Sequence, residues 1–249
     1  MNALEHFVRS LALFSTLFTV ACNESEQPTV KPTRVASEQA KPVPIKRVPR
    51  GQNVWLEVQG SKRRVIIDSY VCLREGLLEQ LMCRKNTKEH EAILAADVDA
   101  RDIHTALQIT GVEPGSPVRY EPAYQPPSGP EIAVILQYQE NGVTRSIPAQ
   151  KWIRNIQDKN EMNAQWVFVG SQLFEDRLDK NRPPIYAANG GDVICVSNFE
   201  DALLDVSIKS SKDNSELAFE AWTERIPQLG TKVKIILEPI ARDKNPTKK

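Results

Sequence analysis

The chain has 249 residues, and its 32 basic side chains balance its 32 acidic ones, so the formal net charge is zero. This balance argues against a nucleic-acid binder that depends on phosphate contacts, because such a protein needs a clustered basic face. The length beyond the N-terminal segments predicts one globular domain.

The first element is an apolar run from Ser10 to Ala21, which ends at Cys22. It is too short to span a bilayer as a helix, since that takes about 20 apolar residues. The ending Val20-Ala21-Cys22 resembles a bacterial lipoprotein signal, which is cut before a cysteine that then carries lipid. We therefore expect a signal peptide at 1–21 and lipidation at Cys22. Ordinary signal-peptidase cleavage is the alternative, because Thr19 replaces the usual bulkier aliphatic residue.

A proline-rich segment follows at 22–50 and shows no apolar periodicity. We expect a disordered linker, which either spaces the domain from a membrane or is a simple tail. The globular domain is then 51–241, and 242–249 is a polar tail. Together these segments predict an exported protein of the cell envelope, lipid-anchored to a bacterial membrane on its periplasmic or surface side.

Most of the domain is predicted to form β-strands. Strands at 54–58 and 64–68 flank a polar turn with Gly60, and strands at 132–138 and 143–147 flank Asn141-Gly142, so both pairs predict hairpins. Further strands are predicted at 166–169, 193–196, 216–220 and 233–237.

One helix is predicted after Asp99, which can cap it, and it should stop at Gly111. A weaker helix is predicted from Gly76 to Met82. The expected fold class is therefore α+β: a single domain dominated by antiparallel β-sheet, with one or two short helices.

The cysteines allow one disulfide in the exported domain. Cys72 and Cys83 are the expected pair, since the bridge would close a short loop. Cys195 lies in an apolar setting and is interpreted as a small core residue.

A second interpretation places a metal-binding or catalytic site on the same segment. Cys72, Cys83, His90 and His104 are a sufficient ligand set for zinc or copper, although their spacing matches no compact zinc module. In a metal- or thiol-dependent enzyme, Cys83 would act with His90 as a base oriented by Glu91. Glu75 and Glu79 would share one helix face beside them.

Several peptide stretches carry a family resemblance: 72–83, 87–93, 102–107, 111–117, 191–199 and 219–227. They resemble the YdjY-domain family, in forms similar to lipoproteins from planctomycete-type bacteria. The resemblance runs from about Val65 to Pro239 and implies no particular activity.

Two hypotheses follow. The first is a lipid-anchored exported protein whose β-rich domain binds an unknown protein or small molecule, without catalysis, cofactor or nucleic acid. The second is the enzyme at Cys83 and His90, with zinc as its cofactor.

Overall fold

A computed structural model describes residues 43–175, 179, 181–210 and 218–241. The chain divides into two compact units, 1–41 and 42–249, and every described residue belongs to the second. The predicted signal peptide, Cys22, most of the linker and the C-terminal tail lie outside the described residues.

The described residues form strands, one α-helix and two short 3-10 helices. The strands are β1 Ile45–Gly51, β2 Val54–Gln59, β3 Lys62–Val71, β4 Gln80–Arg84, β5 Ala92–Ala96, β6 Glu131–Glu140, β7 Val143–Pro148, β8 Ile153–Asn155, β9 Trp166–Phe168, β10 Leu173–Phe174, β11 Ile185–Tyr186, β12 Ile194–Cys195, β13 Leu204–Val206, β14 Phe219–Ala221 and β15 Lys232–Pro239. The helices are α1 Ala100–Thr110 and the 3-10 helices Ala149–Trp152 and Ala187–Gly190.

Eight strands close into a barrel. Their order is β3-β15-β6-β9-β13-β12-β4-β5, and β5 closes the ring by pairing with β3. Strands hold 43% of the described residues and helices 10%. The α+β prediction is therefore wrong, and the fold is a mostly β structure with one α-helix. Closure removes the unpaired edges that an open sheet would leave.

The predicted hairpins are confirmed. β2 and β3 pair antiparallel across a turn in which Gly60 has a φ of 61°. β6 and β7 pair across Asn141 and Gly142, whose φ angles of 50° and 77° are the positive values that a tight hairpin turn requires.

The predicted helix after Asp99 is also confirmed. The Asp99 side chain accepts a hydrogen bond from the Arg101 backbone N–H, and Gly111 ends the helix with a φ of 103°. Among the described residues, no helix is long and apolar enough to cross a membrane.

The predicted helix from Gly76 to Met82 is wrong. The last three residues of this segment, 80–82, are the first three residues of β4, which lies between β5 and β12 in the barrel. The first four residues of β4 are all buried. A strand buried on both faces loses the polar and apolar alternation that identifies strands in a sequence.

Two barrel strands extend beyond the ring. β3 pairs along one edge first with β2 and then with β5, and β6 pairs along one edge with β9 and then with β7. β1 adds to β2, so residues 45–50 of the predicted linker segment lie in a strand.

The barrel and its connections enclose one main apolar core. Its largest fully buried side chains are Trp152, Trp166, Phe168 and Phe219. Cys195 is fully buried in a smaller cluster with Val167, Val169 and Phe199, as expected for a core residue.

Candidate functional site

The connection between β4 and β5, residues 85–91, lies at the centre of the candidate site. The two strands are parallel, with Gln80 opposite Ala92, so this β4–β5 loop must run back along the barrel wall. Its path places Lys88 beside one group of polar side chains and Glu89 beside another.

On one side, Lys88 lies among three carboxylates. Its Nζ is 3.0 Å from Asp192 Oδ1, 3.6 Å from Glu79 Oε2 and 3.7 Å from Glu91 Oε1, and it lies 4.5 Å from the centroid of the Phe199 ring. Burial lowers the pKa of Lys88, but the three carboxylates outweigh it and raise the pKa overall. Burial and the charge of Glu91 raise the pKa of Glu79.

The residues around this cluster are closely packed. The Gln80 side chain is fully buried and donates to Asp192 Oδ1 at 3.0 Å, while its Oε1 has no hydrogen-bond partner. A Cβ on Gly191 would lie 2.9 Å from both Lys88 Cγ and Thr87 Oγ1. Gly191 therefore lets the loop approach closely enough for Lys88 to reach the carboxylates.

On the other side of the loop, Cys72 packs against a small buried cluster of Cys83, Ala92 and Ala95. Its thiol donates a hydrogen bond to the Ala92 carbonyl oxygen at 3.0 Å. Cys72 and Cys83 are both free thiols, and no two cysteines of the described residues are at disulfide distance, so the predicted Cys72–Cys83 disulfide is not present.

The surroundings of the two thiols differ. The neighbouring Cys72 lowers the pKa of Cys83 against the opposing effect of burial, and the Lys88 backbone N–H and the Thr87 hydroxyl lower it further. The neighbouring Cys83 and burial both raise the pKa of Cys72. Nearby, the Tyr70 hydroxyl donates a hydrogen bond to Glu89 Oε1 at 3.0 Å.

The other residues proposed for catalysis do not converge on Cys83. His90 is 76% exposed, and its Nε2 is 3.7 Å from Glu91 Oε2. Glu75 is exposed, whereas Glu79 is buried beside Lys88, so they do not share a helix face.

His104 belongs to a different site, on α1. Its Nδ1 lies 2.7 Å from the Tyr186 hydroxyl and 3.1 Å from the Gly170 carbonyl oxygen, and Tyr186 donates to the same carbonyl. Burial lowers the pKa of His104. The contacts indicate a structural histidine that holds β11 against α1.

The four-residue zinc set is therefore not assembled. Within the part of the chain that the structure describes, no group of three or more His, Cys, Asp or Glu side chains is placed to hold a metal ion.

A fully buried carboxylate, Asp205 on β13, was not found from the sequence. Its oxygens accept hydrogen bonds from the Asn198 side chain and from the backbone N–H groups of Phe199 and Val206. Burial outweighs these bonds and raises the pKa of Asp205 to about 7. Nothing in the local sequence distinguishes Asp205 from a surface aspartate.

An open groove lies at another face, beside the two-stranded ribbon of β10 and β11. This groove has a volume of about 800 Å³ and mixes apolar residues such as Pro117, Pro126 and Phe174 with the charged side chains of Arg119 and Glu200. The sequence analysis missed it, since the lining comes from three separate loops.

The ribbon presents apolar side chains to solvent, and one of them, Phe174, lines the groove. Leu173, Phe174 and Ile185 are 64%, 47% and 58% exposed. Tyr186, opposite Leu173, is buried and anchors the ribbon through its bonds to His104 and Gly170.

Comparison with known proteins agrees with the resemblance seen in the sequence. No curated protein and no solved structure matches the chain. Residues 56–238 match the YdjY domain, and this range covers the whole closed barrel except the end of β15. Since the match spans well over half of its length, the chain belongs to the YdjY domain family.

Proposed function

We propose that this protein is exported, anchored to a bacterial membrane through lipid on Cys22, and uses its YdjY domain to bind a partner or ligand. Export and lipid anchoring are supported by the apolar run before Cys22 and by the proline-rich segment after it. The binding role is supported by the groove beside the β10–β11 ribbon.

The observation that carries the binding role is the groove beside the β10–β11 ribbon. A volume of about 800 Å³ is in the range of ligand sites, which combine apolar walls with a few polar groups. Three large apolar side chains on a ribbon of four paired residues are also unusual for a solvated surface. Grouped apolar side chains of this kind mark interaction sites.

The ribbon is held firmly enough to present these side chains. Tyr186 is 5% exposed, and its hydroxyl donates to the Gly170 carbonyl at 2.7 Å. The Ala187 N–H donates to the Gln172 carbonyl at 2.9 Å and continues the pairing of the two strands. A fixed ribbon loses little conformational entropy on binding, which favours recognition.

Site-specific crosslinking in intact cells of the host bacterium tests this role. A photo-reactive benzophenone amino acid would replace Phe174 in the full chain, and the same group would replace Val143 as the control. Val143 is 54% exposed on β7 and does not line the groove.

Irradiation should produce one discrete adduct at position 174 and none at position 143. Intact mass then distinguishes a protein partner from a small ligand. No adduct at position 174, or the same adducts at both positions, would contradict the binding role of the groove.

A further inference from the structure

We infer that residues 43–64, which comprise β1, β2 and the start of β3, form a basic edge that rests on an anionic lipid surface. The inference rests on the proposed membrane anchor, and it states which part of the domain meets the membrane.

Positive charge is concentrated in the basic edge. The whole chain has 32 basic and 32 acidic side chains, but the basic edge contains six cations and a single anion, Glu57. The cations are Lys46, Arg47, Arg50, Lys62, Arg63 and Arg64. Glu57 is buried and accepts hydrogen bonds from Arg47 Nε and Arg64 Nε, both at 2.6 Å. The charge that the basic edge presents to solvent is therefore positive.

Five of the six cations lie at the end of the domain that carries the turn between β2 and β3. Lys46 and Arg47 pair with the last residues of β2, and the other three are the first residues of β3. The acidic side chains of Glu238 and Glu131, on β15 and β6, border this end and leave its net charge positive.

The position of β1 lets its cations reach a flat surface. β1 is the outermost strand in the sheet order of the described residues, and Lys46 and Arg47 are both exposed. Successive side chains of a strand point to opposite faces, so at an outer edge both faces can contribute charge to the same contact.

Exposed apolar side chains lie among the cations. They are Val43 and Ile45 at the start of the basic edge and Ile240 at the end of β15. Ile240 lines a cavity of about 510 Å³ together with Lys62 and Arg63. Cations on an edge strand also prevent unwanted strand pairing, but that role needs no apolar neighbours. Cations combined with exposed apolar side chains are typical of surfaces that lie on anionic lipid.

The chain also enters the domain at this end. The Val43 carbonyl accepts a hydrogen bond from the Gln59 side chain at 3.4 Å, beside the turn between β2 and β3. Twenty residues separate Cys22 from Val43, so the lipid on Cys22 is at most about 75 Å away along the chain. Such a tether raises the effective concentration of the lipid surface, so a weak contact is sufficient.

The test uses the full chain with Cys22→Ala, so that lipidation contributes nothing to binding. Co-sedimentation measures its affinity for vesicles of equal parts phosphatidylglycerol and phosphatidylcholine, and for vesicles of phosphatidylcholine alone. We expect at least about tenfold tighter binding to the anionic vesicles, and a loss of this preference as sodium chloride is raised. The neutral vesicles measure any binding by the apolar run before position 22.

One variant combines Lys46→Gln, Lys62→Gln and Arg63→Gln. It keeps Arg47 and Arg64, so the buried Glu57 retains both partners. We expect its affinity for the anionic vesicles to fall by at least about tenfold, because each cation near such a surface contributes to binding.

The matched control combines Lys85→Gln, Arg145→Gln and Lys159→Gln. It removes the same charges from exposed positions outside the basic edge, and its affinity should stay within about twofold of the parent chain.

Equal affinity of the parent chain for anionic and neutral vesicles would overturn the inference without relying on any variant. The same loss of affinity in both triple variants would overturn it as well. The anchor is tested separately by the mass of the chain from cells. A chain that is lipidated at Cys22 but has no preference for anionic vesicles would therefore contradict this inference alone.

Discussion

Asp205 gives the clearest prediction for a single residue. Its carboxyl is fully buried, no cation among the described residues forms an ion pair with it, and burial raises its pKa from 3.8 to about 7. A carboxyl whose pKa is raised on folding stabilises the protein fully below pH 3.8, and this contribution is lost as the pH rises to about 7. Each pH unit within that window should remove up to about 1.4 kcal/mol.

Urea unfolding from pH 4 to pH 7 tests this dependence by comparing the wild type with Asp205→Asn. The variant loses an acceptor for the buried N–H groups, which costs about 1–3 kcal/mol at low pH. Because asparagine does not titrate, the free energy of unfolding should fall with rising pH in the wild type only, so its advantage over the variant should shrink and then reverse by pH 7. A constant difference would show that Asp205 is ionised throughout.

Lys88 is predicted to hold the carboxylate cluster together. Lys88→Met keeps most of the side-chain length but leaves Glu79, Glu91 and Asp192 without their shared cation. Removing one partner of a fully buried ion pair costs 3–5 kcal/mol, and the partial exposure of Lys88 reduces this to about 2–3 kcal/mol. Chemical denaturation measures the loss.

Lys159→Met is the matched control, since Lys159 pairs with Glu220 at 3.3 Å but is 60% exposed. Exposed pairs contribute at most about 1 kcal/mol. Equal losses for the two lysine variants would mean that the Lys88 cluster is a surface network without structural importance.

At the scale of elements, the β4–β5 loop depends on Gly191. Gly191→Ala places a Cβ 2.9 Å from Thr87 and Lys88, at a φ of 129° that side chains rarely adopt. We expect a loss of about 2 kcal/mol and faster hydrogen exchange in the loop, because Lys88 can no longer reach Asp192.

Gly190→Ala is the matched control at the neighbouring position. A Cβ there meets nothing within 4 Å, and its φ is not positive. Stability should remain within about 0.5 kcal/mol of the wild type. If both alanine variants unfold at the same denaturant concentration, the close approach of the loop is not required.

The β10–β11 ribbon should loosen when Tyr186 loses its hydroxyl. Tyr186→Phe removes the donor to the Gly170 carbonyl and the bond with His104, at a cost of about 1–2 kcal/mol. Hydrogen exchange should rise at Ala187, whose N–H closes the ribbon, and stay unchanged at Val134 in the barrel wall. Unchanged exchange at Ala187 would contradict the anchoring role.

Elements with local signals were predictable from the sequence. The turn at Asn141-Gly142 and the helix limits at Asp99 and Gly111 depend on the chemistry of adjacent residues. β12 lies within the strand predicted at 193–196, whereas β4 lacks such signals, because it is short and buried, and only pairing with distant strands identifies it. Barrel closure therefore could not be predicted from the sequence alone.

At the scale of the whole molecule, the site was predictable only in part. The disulfide expected from the closeness of Cys72 and Cys83 in the sequence is not formed, although both cysteines belong to one small cluster. The contact between Lys88 and Asp192 joins residues separated by 104 positions, and the groove is built from three loops. Without the fold, neither feature differs from ordinary surface charge or loop composition.

The proposed export of the protein and its proposed lipid anchor at Cys22 are the main claim of the account. The most direct measurement is the intact mass of the full chain recovered from fractionated bacterial cells. We predict a membrane-bound product that begins at Cys22 and carries lipid there, and a Cys22→Ala variant that lacks the lipid. An unlipidated chain in the soluble fraction, whether cut elsewhere or retaining Met1, would contradict the account.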